Sequence, residues 1–174
     1  LDVAALPGAA GFYGAATSPY GRMTGLADWF FRAAAFPGAA DNTDAYLGRY
    51  YYDGVPEAAE VAGFARARRE EVFAFLDELI GRYTLDETDL VGFSLCFFQT
   101  VTSLAMASLL KRRNPKVTVV FGGPAVKGVP GRTLAEHAPS VDFVVSGPGL
   151  VSFPELVGRR LAGQPVASPA IPGV

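Results

Sequence analysis

Three short stretches of small residues are where this sequence could do chemistry. They are Ser94-Leu95-Cys96, Gly122-Gly123-Pro124 and Ser146-Gly147-Pro148-Gly149, and each follows an apolar run. A glycine has no Cβ, so a ligand can lie against the backbone there. Three such loops at one edge would suit something broad rather than a narrow catalytic slot. Glycines after strands also serve as ordinary tight turns, so the pattern alone leaves both readings open. No catalytic constellation stands out. Ser94 and His137 could be imagined as nucleophile and base, but no G-x-S-x-G elbow surrounds Ser94. His137, close to Pro139 at a helix end, reads as a surface histidine. Cys96 precedes Phe97-Phe98 and reads first as a small buried hydrophobe, with room for a ligand contact at its strand end. Asp142 reads as a turn or cap residue. Nucleotide motifs fit poorly. Gly147-Pro148-Gly149 lacks the later glycine of G-x-G-x-x-G, and Lys127 stands at the wrong spacing from Gly122-Gly123 for a phosphate loop.

Composition closes off other chemistry. The chain has 174 residues, enough for one domain with a real core. Half of them are hydrophobic and 18% are charged, which argues against wholesale disorder. Fifteen Lys and Arg against seventeen Asp and Glu leave a net charge of −2, unlike a phosphate-backbone binder. One cysteine excludes an internal disulfide framework and any all-cysteine metal or iron–sulfur site within the chain. One histidine excludes a multi-histidine metal site. No apolar run reaches the ~18 residues of a membrane span, and no basic start precedes an apolar stretch as in a signal peptide. These features suit a protein of the reducing cytoplasm that binds neither nucleic acid nor membrane. The first residue is Leu1 rather than Met, the mark of a fragment or a processed product.

The elements that would position the three loops begin at Pro56. Residues 1–55 hold six of the seven tyrosines and are rich in Ala, Gly and Pro. Gly8, Gly11, Gly14, Gly21 and Gly25 interrupt any period, so an irregular segment is expected, packing on the rest through its aromatics. Within it, Leu1 to Leu6 could be a short strand and Leu26 to Ala35 a short helix. From Pro56 to about Arg82, Val61, Phe64, Val72, Phe75, Leu76, Leu79 and Ile80 follow helical spacing. Arg66, Arg68, Arg69, Glu70 and Glu71 are then its solvated face. Strands are predicted at Asp89–Leu95, Val117–Phe121 and Val141–Ser146. Helices are predicted at Gln99–Arg113, stopped by Asn114-Pro115, at Arg132–Ala138, and from Ser152 with a Glu155 capping box to a stop at Gly163. Residues 164–174 form a Pro-rich tail or linker. Alternating helices and strands, with almost continuous apolar strands, mean an α/β domain over 56–163: a parallel sheet with helices on both faces. Such a sheet binds its ligand beyond the carboxyl ends of its strands.

Read together, residues 89–105, 114–123, 141–149 and 153–157 resemble the cobalamin-binding domain of cobalamin-dependent radical S-adenosylmethionine enzymes. The nearest group is the maturases of ribosomally made, modified peptides. Residues 28–52 are similar to the aromatic stretch before that domain's central helix, and the likeness runs over roughly 26–163. It implies a Rossmann-like, flavodoxin-like cobalamin fold. It implies that Ser94 and Gly122-Gly123 flank the nucleotide tail of cobalamin, with Leu95, Cys96 and Pro124 beside them. Gln99, Thr102 and Ser103 would offer polar contacts, and Ser146, Gly147 and Gly149 would form the third loop. Departures are plain. No D-x-H-x-x-G supplies a cobalt-ligating histidine. Gly147-Pro148-Gly149-Leu150 stands where the family reads Gly-Glu-Gly-Glu. Leu1 to Leu6 resembles the family's second strand, with the first strand and helix absent. The C-x-x-x-C-x-x-C triad is missing, so an iron–sulfur cluster and S-adenosylmethionine would belong to a partner barrel or missing domain. The expected role is therefore the cobalamin-binding part of a methyltransferase acting on unactivated carbon, with a radical barrel and possible precursor peptide as partners. The alternative is a cobalamin-free interaction domain.

Overall fold

A computed structural model describes residues 9–166 together with 171, 173 and 174. The expectation for Leu1 to Leu6 lies outside these residues, as does part of the Pro-rich tail. Three parallel strands form the centre: β1 (Leu90–Ser94), β2 (Thr118–Gly122) and β3 (Phe143–Val144), in the order β1-β2-β3. Leu90 pairs with Thr118, and the register runs to Ser94 opposite Gly122. Val120 then pairs with Phe143 and Phe121 with Val144. The β-branched run at the centre explains β2, which is buried from Thr118 to Phe121.

Helices cover both faces. Helix α7 (Thr100–Arg113) joins β1 to β2, and α8 (Val129–His137) joins β2 to β3. Val119 and Phe121 pack with Leu109 and Leu110 of α7 in the main core. Val120 points the other way, into a smaller cluster with Val145, Leu156 and Ile171. Leu156 belongs to α9 (Ser152–Leu161), which closes that second face.

The expected third strand, Val141–Ser146, is shorter as a ladder because side chains and loops take over its ends. Asp142 accepts a hydrogen bond from the Val119 amide at 2.7 Å, and the Ser146 amide donates to Gly173 O at 2.7 Å. Asp142 is thus a backbone cap, held by Lys111 at 2.6 Å. The capping box expected at Ser152 does not form. Ser152 lies inside the first turn, and Glu155 pairs with Arg159 instead.

The N-terminal part bears out the short helix at Leu26–Ala35 and corrects the expectation of irregular chain around it. It folds as α1 (Ala9–Thr17), α2 (Pro19–Thr24), α3 (Leu26–Ala35) and α4 (Thr43–Tyr50). Gly11 and Gly14 lie inside α1 and Gly21 inside α2, while Gly25 marks a junction. Gly25, at φ +69°, ends α2 and starts α3, and the Ser18 hydroxyl caps α2 by accepting from the Gly21 amide. Aromatic packing supplies what propensity lacks. The Trp29 and Tyr46 rings stack at 4.0 Å, and Phe12 stacks on Phe64 at 4.7 Å. Helix α3 lies along α7, so this layer backs the helix that follows β1.

The single helix expected over 56–82 is two, α5 (Ala58–Arg68) and α6 (Val72–Arg82), with a 3₁₀ turn at Arg69–Glu71 between them. Arg69 stands at the break. It is not on a solvated face but turns inward, only 6% exposed. Its guanidinium lies 4.3 Å over the Trp29 ring and donates to Asp41, to Thr43 Oγ1 and to Trp29 O. At i+4 from Ala65, Arg69 continues the buried stripe of Val61 and Ala65, which Val72 and Leu76 take up in α6.

Candidate functional site

The carboxyl ends of β1 and β2 are tied to one another. Past Ser94, the Leu95 amide donates to Gly122 O at 2.7 Å, and the Ala125 amide donates to Leu95 O at 3.2 Å. The paired glycines have different jobs. Gly123 has φ +97°, and a Cβ there would stand 2.5 Å from Leu95 O, so the close crossing of the two loops requires glycine. Gly122 leaves the sheet face bare, its nearest neighbour being Val145 at 3.8 Å from an added Cβ.

That bare face opens a hollow of about 470 Å³ between the sheet and the start of α9. The size suits a small organic group. Gly92, Val120 and Gly122 form its floor, and Val145, Gly149, Leu150 and Phe153 its far wall, with Ser94, Gly123 and Gly147 at the mouth. An added Cβ on Gly92 would lie 3.6 Å from the Phe153 ring, so a larger side chain would fill the space the glycine leaves. Ser94 carries the one hydroxyl among the lining side chains. Ser146 stands outside the lining, where its Oγ accepts from the Gly128 amide at 3.1 Å and joins the second loop to the third.

The sequence-derived candidates therefore divide. Ser94, Gly122, Gly123, Gly147 and Gly149 come together around this hollow. Leu95 is fully buried in the core beneath it. Pro124 opens a short 3₁₀ turn and does not line it. Thr102 and Ser103 lie in the first turn of α7, outside the lining. Cys96 and Gln99 face another hollow, about 860 Å³, within the helical layer among Phe12, Phe30, Phe64 and Phe98. Cys96 is exposed rather than buried. Gln99 is spent on its own loop, where Oε1 accepts from the Cys96 amide at 3.0 Å. Phe98 in that loop has φ +66°, a strained setting for an aromatic residue. His137 ends α8 with an exposed ring.

Three contributions escaped sequence reasoning. Gly92 is two residues before Ser94, and strand alternation puts both on one face. Phe153 follows the third glycine-rich loop. Asp28 is less legible still. From α3, its carboxylate accepts a hydrogen bond from the Val101 amide at 3.1 Å and so caps α7. Burial raises the Asp28 pKa from its ordinary value, and the Val101 bond opposes that rise.

The arrangement offers no reactive pair. It offers a bare, apolar slot beside the edge where a parallel sheet receives ligands. Among the described residues no group of three or more His, Cys, Asp or Glu could hold a metal, and no helix is long and apolar enough to cross a membrane.

Comparison with known proteins gives the family of the chain. The B12 binding domain family matches residues 56–157. The chain belongs to that family. Cobalamin is accordingly the cofactor of this B12-binding domain. The domain is 39% identical over 88 residues to the cobalamin-dependent radical SAM methyltransferase TokK of Streptomyces tokunonensis, covering 51% of this chain and 13% of that protein. It is 37% identical over 90 residues to the 2-(S-pantetheinyl)-carbapenam-3-carboxylate methyltransferase of Streptantibioticus cattleyicolor, covering 52% and 13%. An uncharacterized methyltransferase of Pyrococcus horikoshii is 37% identical over 82 residues, 44% of this chain and 18% of that protein. The matched stretches thus span under a fifth of each relative. No solved structure matches. The three-stranded parallel sheet and its helices agree with the flavodoxin-like B12-binding fold, and the residues present fit the cofactor. A planar organic group needs a floor without side chains, and Gly92 and Gly122 provide one.

Proposed function

We propose that this B12-binding domain seats the nucleotide tail of cobalamin in the hollow between the sheet and α9, and presents the corrin beyond the carboxyl ends of β1, β2 and β3. The observation that carries the reading is the bare floor: Gly92 and Gly122 leave open the space facing Phe153 and Val145. Ser94 at the mouth offers a hydroxyl to the polar part of the tail, and Val120 and Val145 exclude water from the base. Cobalamin, when bound, supplies the transferable methyl group; the chain supplies position and shelter.

The complete system would be a radical SAM methyltransferase whose cluster-bearing barrel lies outside this chain, since one cysteine cannot hold the cluster. Support for a docked partner comes from the rim. Phe97, Val129, Leu150 and Val151 follow the three strand ends and are 74%, 73%, 88% and 77% exposed. Apolar side chains gathered at one edge are a contact surface. Methyl transfer is the chemistry that the named relatives share; a modified peptide is the substrate class that the sequence resemblance implies.

The test is reconstitution of the chain with hydroxocobalamin, followed by gel filtration and the visible spectrum. A coloured, stoichiometric complex is expected, and Gly92→Leu should lose it while keeping its far-ultraviolet circular dichroism. A colourless wild-type protein would overturn the reading and favour an interaction domain without cobalamin.

A further inference from the structure

The hollow has a chemistry as well as a shape. Its floor and far wall are Gly92, Val120, Gly122, Val145 and Phe153, none with a polar side-chain atom. Backbone groups do not make up the difference. Strands direct their amides and carbonyls in the plane of the sheet, not onto its face. At the loops, three of the nearby carbonyls are already engaged. Gly122 O accepts from the Leu95 amide at 2.7 Å, Gly123 O from the Val126 amide at 3.3 Å, and Gly149 O from the Phe153 amide at 3.1 Å. The Ser146 amide is bound to Gly173 O. The Ser94 hydroxyl, at the end of β1, is the one hydroxyl in the lining.

Resting on the tail-binding reading above, we infer that this hollow selects among corrinoids by the base of the tail, accepting an apolar benzimidazole and disfavouring a purine. The two bases are bicyclic and similar in size, so fit alone separates them little. Polarity separates them. An adenine brings an exocyclic amine and extra ring nitrogens that are hydrogen-bonded in water. On the floor and far wall they meet no polar side chain, and a buried group left unsatisfied weakens binding by about 10-fold or more. The methyl groups of dimethylbenzimidazole lose nothing there and gain contact with Val120, Val145 and the Phe153 ring. A tail-less corrinoid forfeits the hollow altogether.

The experiment compares three corrinoids on the intact chain by equilibrium dialysis: hydroxocobalamin, its adenine-based counterpart, and cobinamide, which has no nucleotide tail. The expected order is hydroxocobalamin tightest, the adenine form at least about 10-fold weaker, and cobinamide weaker than hydroxocobalamin by a similar factor or more. If the two tailed corrinoids bind equally and both outbind cobinamide, the tail reading stands and the selection is refuted. If all three bind alike, or none is retained, insertion of the tail itself is refuted.

Discussion

Ser94 and Cys96 are two residues apart, yet they border different hollows. The first lies against the sheet and is lined by five glycines, two valines, two phenylalanines, Ser94 and Leu150. The second lies in the helical layer and has eight aromatic residues among the twenty that line it. The sheet hollow exists because side chains are missing at set positions on strands whose register is fixed. The helical hollow exists because large rings on short helices meet without filling the space between them. A backbone-defined slot holds its shape whatever its neighbours do. A ring-lined one depends on every helix staying in place. On the proposed reading, ligand placement falls to the sheet half and support of α7 to the helical half.

The strongest way to break this division is Gly123→Val. It forces a side chain onto Leu95 O at positive φ, and we expect a loss of about 3 kcal/mol or more with the rim disrupted. The checks are denaturant midpoint and corrin retention. A stable variant that binds normally would show that the crossing of the two loops is not required. Arg69→Met comes next. Losing the guanidinium leaves Thr43 Oγ1 and Trp29 O without their donor and should cost about 2 kcal/mol in urea unfolding. Corrin retention well below the melting temperature should be unchanged, because the layer supports the site without lining it. Loss of retention in a folded variant would blur the division. Phe153→Ala should do the reverse: about 10-fold weaker corrin binding, with roughly 1 kcal/mol or less of stability lost from a half-buried ring.

The smallest effect sharpens the link between the halves. Burial raises the Asp28 pKa in the folded chain, so the folded state holds its proton more tightly than the unfolded state does. The contribution of this group to stability is therefore fully present below the ordinary aspartate range and is lost as pH rises through the folded-state value. Asp28→Asn keeps an oxygen for the Val101 amide and removes the buried charge. It should match or slightly exceed the wild type at neutral pH, by under about 1 kcal/mol. In matched urea titrations from neutral to about pH 4 it should also remove this group's part of the pH dependence. An Asn variant less stable at neutral pH would mean that the carboxylate charge on the α7 terminus outweighs its burial.

The sheet half was legible because its signals are local. Val117–Phe121 is β-branched and apolar, and Asn114-Pro115 and Gly122-Gly123 mark its limits. Three expected strands appear, although the third pairs over two residues only, because Asp142 and Gly173 O satisfy its ends. In the helical half only the short helix at Leu26–Ala35 was legible, because little else there is made locally. Glycines at 11, 14, 21 and 25 argue against helix, and the opposing force is ring packing between residues far apart in sequence, such as Trp29 on Tyr46. The break at Arg69 was hidden for the same reason, since its partners Asp41 and Thr43 lie more than twenty residues earlier. At the site, the loop glycines were visible as a pattern. Phe153 was not, because its part depends on how α9 crosses the second face.

The bonds from the Leu95 amide to Gly122 O and from the Ala125 amide to Leu95 O bolt two loops into a single jaw. Neither loop can swing without its neighbour, so anything pressing on the serine side of the mouth is felt at once on the glycine side. The third loop is anchored at its start in the same way, by the Val145 amide donating to Phe121 O at 2.7 Å, and then by the Ser146 hydroxyl accepting from the Gly128 amide. A bulky guest entering here meets jaws that are all sewn to the middle strand.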